Sequence, residues 1–232
     1  MIRKWFKSFP FLYVIWLKYF RKSKLTVPSN EDFFYFDGYP RSGNSYLTSL
    51  FKYIFPTVRF SHHLHCVASL KIAIKNKIPV IIIVREPLES ISSLIVMDIP
   101  GLILNYKTVA RYVDDYIDYF QYLKMKLDTI NIISFESSIK KPELFFLCLE
   151  QAVPNLIITQ KDYDLISEFV GDNLIEKKQS KMSHDHALRF SSTPNQERTA
   201  KKEIVKNLLK NNKRMTTAQN LFKDVLSKQF EN

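Results

Sequence analysis

The sequence predicts a three-layer α/β fold, a central parallel sheet flanked by helices, on three observations. Short hydrophobic strands alternate with amphipathic helices, the order that builds a parallel sheet. Residues 79–84, Pro-Val-Ile-Ile-Ile-Val, form a continuous β-branched run, as in a strand covered on both faces. Phe33-Phe-Tyr-Phe-Asp-Gly-Tyr-Pro-Arg-Ser-Gly-Asn-Ser-Tyr-Leu47 joins a buried aromatic strand, through a glycine-bounded loop, to the start of a helix. With 232 residues, the chain suffices for one well-packed domain with a small extension.

The elements follow in order. Residues 1–27 are a basic, aromatic-rich segment, and 1–24 carry seven Lys/Arg and no acid. The apolar run 9–17 is closed by Lys18, well short of the roughly twenty residues a membrane span needs. No small-residue cleavage pattern follows it, which argues against a signal peptide. Trp5, Phe6, Trp16, Tyr19 and Phe20 among lysines and arginines suit peripheral membrane contact through 1–24. The competing reading is a helix packed on its own domain. A turn-rich connector at 26–32 opens the α/β domain, placed at 28–175.

Within that domain a first strand is expected at 33–36. A helix at 44–55 has Leu47, Leu50, Phe51 and Ile54 on one face and is ended by Pro56. A short strand at 58–60 leads into Ser61-His-His-Leu-His65, and a helix follows at 67–75. After the 79–84 strand, Pro87 suits the first turn of a helix at 88–97. A long helix over 106–127, a strand at 131–135 and a helix at 142–152 complete the series. Residues 176–232 form a basic, mostly helical extension, and 196–230 read as a solvated amphipathic helix.

Charge is unevenly placed. Of the net +11, residues 174–232 supply thirteen Lys/Arg against six Asp/Glu, and the basic N-terminus leaves the middle at −3. A nucleic-acid-binding fold carries its basic stripe across the folded face, so no nucleic-acid partner is expected. Cys66 and Cys148 sit in apolar runs without metal-site spacing. They read as buried free thiols in a reducing, cytoplasmic setting.

The loop carries the chemistry. Gly38-x-x-x-x-Gly43 is spaced as in a Walker A motif, but Asn44-Ser45 stands where an NTPase has Lys-Ser/Thr. The fold is therefore expected to be P-loop-like, with its cation, Arg41, moved inside the loop. Such a loop suits an anionic ester with less terminal charge than ATP. Arg41 and Arg85 each follow a strand's carboxyl end, the rim where α/β sheets bind ligands. Three histidines, His62, His63 and His65, fall just beyond a short strand, and at least one of them is expected in the site. Apart from Cys66, nothing nearby completes a tetrahedral metal set, so no metal is expected.

Tyr39-Pro-Arg-Ser-Gly-Asn-Ser-Tyr46 resembles the Tyr-Pro-Lys-Ser-Gly-Thr-Thr-Trp signature of sulfotransferases that use 3′-phosphoadenosine 5′-phosphosulfate (PAPS), with Arg41 in the lysine's place. Arg85, Pro87 and Ser93 fit the family's Arg-x-Pro with a serine eight residues after the arginine. His62-His63-Leu64 is similar to its Thr-His-Leu segment, and 131–138 to its "Tyr-Glu-Asp-Leu" strand. The likeness covers roughly 33–150 and is nearest to small bacterial sulfotransferase-like proteins.

The resemblance implies sulfuryl transfer from PAPS to a hydroxyl or amine, releasing 3′,5′-adenosine bisphosphate (PAP). Backbone amides of Ser42, Gly43, Asn44, Ser45 and Tyr46, with the Ser45 hydroxyl, would cradle the 5′-phosphosulfate. Arg41 would neutralise the leaving phosphate, Arg85 and Ser93 would hold the 3′-phosphate, and His63 would be the general base. No Arg-Lys-Gly element like that of cytosolic members is found; the stretch from Arg189 to Arg198 could substitute, and Arg198, Lys201 and Lys202 equally read as solvent-exposed. Two alternatives stand beside this reading: a P-loop kinase or nucleotide hydrolase, and a non-catalytic nucleotide-binding protein. The acceptor is a small molecule, glycan or lipid. Asp98, Tyr112, Asp114, Asp115 and Tyr116 either line its pocket or face solvent, and solvent is the expectation.

Overall fold

The computed structural model describes residues 9–20, 27–99, 101–154, 156–171 and 196–230. Among them, four strands form one all-parallel sheet in the order β2-β1-β3-β4: β1 (Tyr35–Gly38), β2 (Ser61–His62), β3 (Val80–Val84) and β4 (Asn131–Ser134). The fold is therefore α/β with a parallel sheet between helices, as the alternation of strands and helices predicts.

The β-branched run of β3 occupies a central position, with all five residues buried. It runs in register from Tyr35↔Val80 to Gly38↔Ile83 on one side and from Ile81↔Asn131 to Val84↔Ser134 on the other. Its side chains alternate between two cores. Val80, Ile82 and Val84 pack on one face with α3 (Val67–Lys75), α4 (Pro87–Asp98) and α5 (Tyr106–Lys124). Ile81 and Ile83 pack on the other with α2 (Asn44–Ile54), α7 (Glu143–Ala152) and α8 (Gln160–Gly171). Burying both faces is what lets a strand be apolar at every position.

Strand edges depart from expectation because the neighbouring chain sets them. The first strand begins at Tyr35, not 33, since the half-exposed Phe33 donates its N–H to Arg59 O instead of joining the β3 ladder. The second begins at Ser61, whose N–H meets Phe34 O at 3.2 Å. The fourth stops at Ser134, whose Oγ accepts the Ser137 N–H at 3.0 Å and opens a short helix, α6 (Phe135–Lys140).

The stretch expected as one solvated helix is instead two, α9 (Gln196–Lys210) and α10 (Met215–Leu226), laid over α4 and α5. Val205, Leu209, Met215, Ala218 and Val225 enter the core there. Their spacing gives each helix an apolar stripe that the surrounding lysines obscure in sequence. Tyr112 and Tyr116, expected to face solvent, are buried. Beyond α10, Phe230 N–H donates to Ile132 O at 2.7 Å, so chain runs along the outer side of β4.

At the other end, α1 (Pro10–Phe20) packs Tyr13 against Cys66 and Ala68, while Phe11 is 73% exposed. Residues 1–8 and 21–26, with Trp5, Phe6 and much of the expected membrane-contact segment, lie outside the described residues. Among the described residues, no helix is long and apolar enough to cross a membrane. Cys66 and Cys148 are free buried thiols, and burial pushes the Cys148 thiol up to about 12.

The chain moves outward from β1 to β2, then crosses back to place β3 on the other side of β1. The order reverses between β1 and β3, and the crevice beyond their carboxyl ends is where such sheets take ligands. Gly38 ends β1 and Arg85 follows β3, so the loop and Arg85 both come just after the strand ends that border that crevice.

Candidate active site

Two glycines shape the loop. A Cβ on Gly38 would lie 2.3 Å from Ile83 O, so β1 can end against β3 only without one. Gly43 has φ +88° and forms the N-cap of α2; a Cβ there would lie 2.8 Å from the Phe135 ring. Between them, Ser42 N–H donates to Tyr39 O at 3.2 Å, and the buried Tyr39 ring packs on Tyr116. Arg41 takes a left-handed φ of 72° and is held there by Arg85 Nη1, which donates to Arg41 O at 2.8 Å. A non-glycine residue in that region costs about 1–3 kcal/mol and marks a backbone fixed by its surroundings.

The amides expected to cradle an anion are not equivalent. Those of Ser42 and Tyr46 donate within the chain, to Tyr39 O and Gly43 O. Gly43, Asn44 and Ser45 remain as the donors at the start of α2, which has no side-chain cap. Ser42 Oγ, Asn44 Oδ1 and Arg85 Nε are buried at the loop without a hydrogen-bond partner, each such orphan costing about 1–3 kcal/mol. A loop carrying this cost is not optimised for its own stability.

Arg41, and not the expected Arg85, is the cation of the pair that meets Ser93. Arg41 Nε donates to Ser93 Oγ at 3.1 Å. Arg198 Nη2, from α9, donates to the same oxygen at 3.4 Å. Arg198 is only 6% exposed, so the solvent-exposed alternative for it is overturned. Burial, then the charges of Arg198 and Arg85, push the Arg41 guanidinium down to about 10. Arg85 instead lies 4.1 Å over the Phe135 ring and supports the loop from behind, with Glu89 3.7 Å from its Nη2. Glu89 in turn meets Lys202 at 2.8 Å and Lys206 at 2.5 Å, which ties α9 to α4. Arg189 lies outside the described residues.

The histidines come together beside the loop. His63 Nε2 is 3.0 Å from Ser45 Oγ, His62 Nδ1 is 2.7 Å from His63 Nδ1, and Lys52 Nζ is 3.0 Å from His62 Nε2. Burial pushes His63 down to about 4, helped by His65, and His62 down to about 3, helped by His63 and Lys52. His63 and His65 have left-handed φ values of 59° and 49°. Of the residues weighed as acceptor-lining, Tyr112 and Tyr116 are fixed by Tyr112 OH to Asp98 Oδ2 (2.9 Å) and Tyr116 OH to Arg85 O (2.8 Å). Asp114 pairs with Arg214.

Sequence reasoning missed Asp37, a fully buried carboxylate against His65. Its signal was an acid inside an aromatic strand, which burial tolerates only with partners. It also missed Phe135, whose ring lies between Gly43 and Arg85. No family model, curated protein or solved structure matches the chain.

Proposed function

We propose that the protein is a PAPS-dependent sulfotransferase of P-loop-like fold, moving the sulfuryl group of PAPS to a hydroxyl or amine and releasing PAP. The observation that carries this reading is the meeting of Arg41 and Arg198 on Ser93, beside a glycine-bounded loop that opens a helix. A loop–helix junction of this kind accommodates a diester-like phosphate through backbone N–H groups. Two buried guanidiniums on a hydroxyl a few ångströms away suit a second, more highly charged phosphate. PAPS has both groups. Asn44 after Gly43 leaves no lysine for the β/γ-phosphates of a nucleoside triphosphate, which weighs against the kinase or hydrolase alternative.

In this reading the amides of Gly43, Asn44 and Ser45 and the Ser45 hydroxyl hold the 5′-phosphosulfate. Arg41 offsets charge growing on the leaving phosphate oxygen, a term felt mainly in the transition state. Its guanidinium acts as a fixed charge, not as an acid. Ser93 and Arg198 hold the 3′-phosphate, and Arg85 keeps Arg41 in place. The histidine cluster receives the acceptor proton. A sulfuryl group carries one negative charge fewer than a phosphoryl, so the reading assigns no metal. The acceptor is a small molecule, glycan or lipid, with no nucleic-acid partner. The setting is cytoplasmic, with peripheral membrane contact through residues 1–24, which the exposed Phe9 and Phe11 favour.

The test is thermal unfolding with PAP against ATP–Mg²⁺. Ligand at a hundred times its Kd stabilises the native state by about 2.7 kcal/mol. For a chain of this size that raises Tm by roughly 5–10 °C. A shift with ATP–Mg²⁺ and none with PAP sinks the proposal in favour of the kinase or hydrolase. Stabilisation by PAP without turnover of PAPS selects the non-catalytic binding protein.

A further inference from the structure

We propose that Lys52, His62 and His63 form a hydrogen-bond relay that keeps the Ser45 hydroxyl a donor to the anion in the loop. This rests on the sulfuryl-transfer reading above, and it makes His63 a positioning residue for Ser45.

The relay follows from how the chain is laid out. Ser45 and Lys52 are seven positions apart on α2, so they lie on one side of the helix, two turns from each other. The end of β2 passes beside that side and bridges the two turns. His62 Nε2 is 3.0 Å from Lys52 Nζ, and His63 Nε2 is 3.0 Å from Ser45 Oγ. The link between the rings is His62 Nδ1 to His63 Nδ1, at 2.7 Å. Phe60 seats the outer end: its buried ring lies 4.9 Å from that of His62, and Lys52 Nζ approaches it at 5.6 Å. At the inner end His63 has a φ of 59°, a conformation that a non-glycine residue keeps only where its surroundings fix it.

These contacts decide where each hydrogen sits. The Lys52 ammonium has only hydrogens to offer, so His62 Nε2 accepts from it. A neutral His62 then carries its hydrogen on Nδ1, and His63 Nδ1 accepts that one. His63 in turn carries its own hydrogen on Nε2 and donates it to Ser45 Oγ. Neutral rings are what the site favours, since burial pushes His62 down to about 3 and His63 down to about 4.

The direction matters because a serine hydroxyl has one hydrogen to give. In the reverse order Ser45 would spend it on His63 and present only lone pairs to an anion. In the order the contacts require, Ser45 Oγ accepts from His63, and its own hydrogen is not drawn into the relay. The hydroxyl then acts in the same sense as the amides of Gly43, Asn44 and Ser45 at the start of α2. Because the chain is headed by an ammonium, each bond polarises the next, which strengthens the last donor. Lys52 thus acts on the anion through two rings, in a loop that has asparagine where a Walker A motif has its lysine. The proton role given to the histidine cluster does not fall on His63 Nε2, which already holds a hydrogen.

The experiment has two arms, both on the full chain. Two-bond ¹H–¹⁵N NMR of the histidine rings near neutral pH, assigned with single His→Gln variants, reads the tautomers directly. His62 is expected with its hydrogen on Nδ1 and His63 with its hydrogen on Nε2, and Lys52→Met is expected to release His62 into a mixture of tautomers. Calorimetry with PAP then tests whether His63 works through Ser45. His63→Leu and Ser45→Ala should each weaken binding by about 5–20-fold. In the Ser45→Ala background, His63→Leu should add less than about twofold. His63→Gln, which carries an amide N–H donor at comparable reach, should recover most of the loss seen in His63→Leu, a rescue that a purely structural role or a general base would not show. The opposite tautomer at either ring, independent losses that multiply in the double variant, or equal losses in His63→Gln and His63→Leu overturn the relay. If the variants do not fold, the wild-type and Lys52→Met spectra decide it. A wild type that does not bind PAP fails the sulfuryl-transfer reading itself, a result distinct from reversed tautomers in a chain that binds PAP.

Discussion

Replacing Gly43 by alanine tests the loop's construction in one atom. The added Cβ would lie 2.8 and 2.9 Å from two carbons of the Phe135 ring, and the backbone would remain at φ +88°. The left-handed conformation costs an L-residue about 1–2 kcal/mol, and forced overpacking adds about 1–3 kcal/mol. The total of about 2–5 kcal/mol lowers Tm by roughly 4–20 °C at this chain length. The ring cannot retreat freely, because Arg85 stacks on it at 4.1 Å and also holds Arg41 O. Thermal and urea unfolding of Gly43→Ala, alone and with Phe135→Leu, separates the two costs. The double variant recovers the steric part, giving a favourable coupling of about 1–2 kcal/mol. A loss below about 1 kcal/mol, or the same loss in both backgrounds, refutes the reasoning.

Two further outcomes follow from the charges. The native state holds His62 and His63 to about 3 and 4, whereas unfolded histidine titrates at about 6.5. Below that pH the unfolded chain binds protons first, so stability is full above about 6.5 and falls as pH drops toward 3. Urea midpoints between pH 7 and 4.5 should decline, and His62→Phe should flatten the decline; a flat wild-type profile counts against the buried neutral pair. Arg198→Met keeps the buried stem and removes the charge. Losing one charge-assisted phosphate contact should weaken PAP binding by about 10–100-fold in calorimetry, with a shallower salt dependence. An unchanged Kd removes Arg198 from the ligand site.

How much was legible depended on whether the information was local. The 79–84 run needed no partner to be recognised, because uninterrupted β-branching has one good explanation in an α/β pattern. The loop was legible for a similar reason, since two glycines at fixed spacing between strand and helix constrain the backbone directly. Where 33–36 and 58–60 slipped by about two residues, the deciding bonds, Phe33 N–H to Arg59 O and Ser61 N–H to Phe34 O, come from elsewhere in the chain. Asp37 went unnoticed because its partner His65 lies 28 positions on. Arg198 and the apolar stripe of Val205 and Leu209 were hidden by neighbouring lysines. Tyr112 and Tyr116 were misjudged because their partners, Tyr39 and the Arg85 carbonyl among them, come from the loop and the chain after β3.

Ser93 accepts from guanidiniums that enter the sequence before the second strand and after the last one. Half of the proposed anion seat consequently depends on long-range closure of the chain: with α9 undocked from α4, Arg198 would be missing from it. An occupant would bridge early and late segments much as a cross-link does, and its binding energy would oppose the undocking of α9 more than the opening of the loop itself. Amide exchange in α9, remote in sequence from the glycine loop, would then be a sensitive gauge of whether the seat is filled.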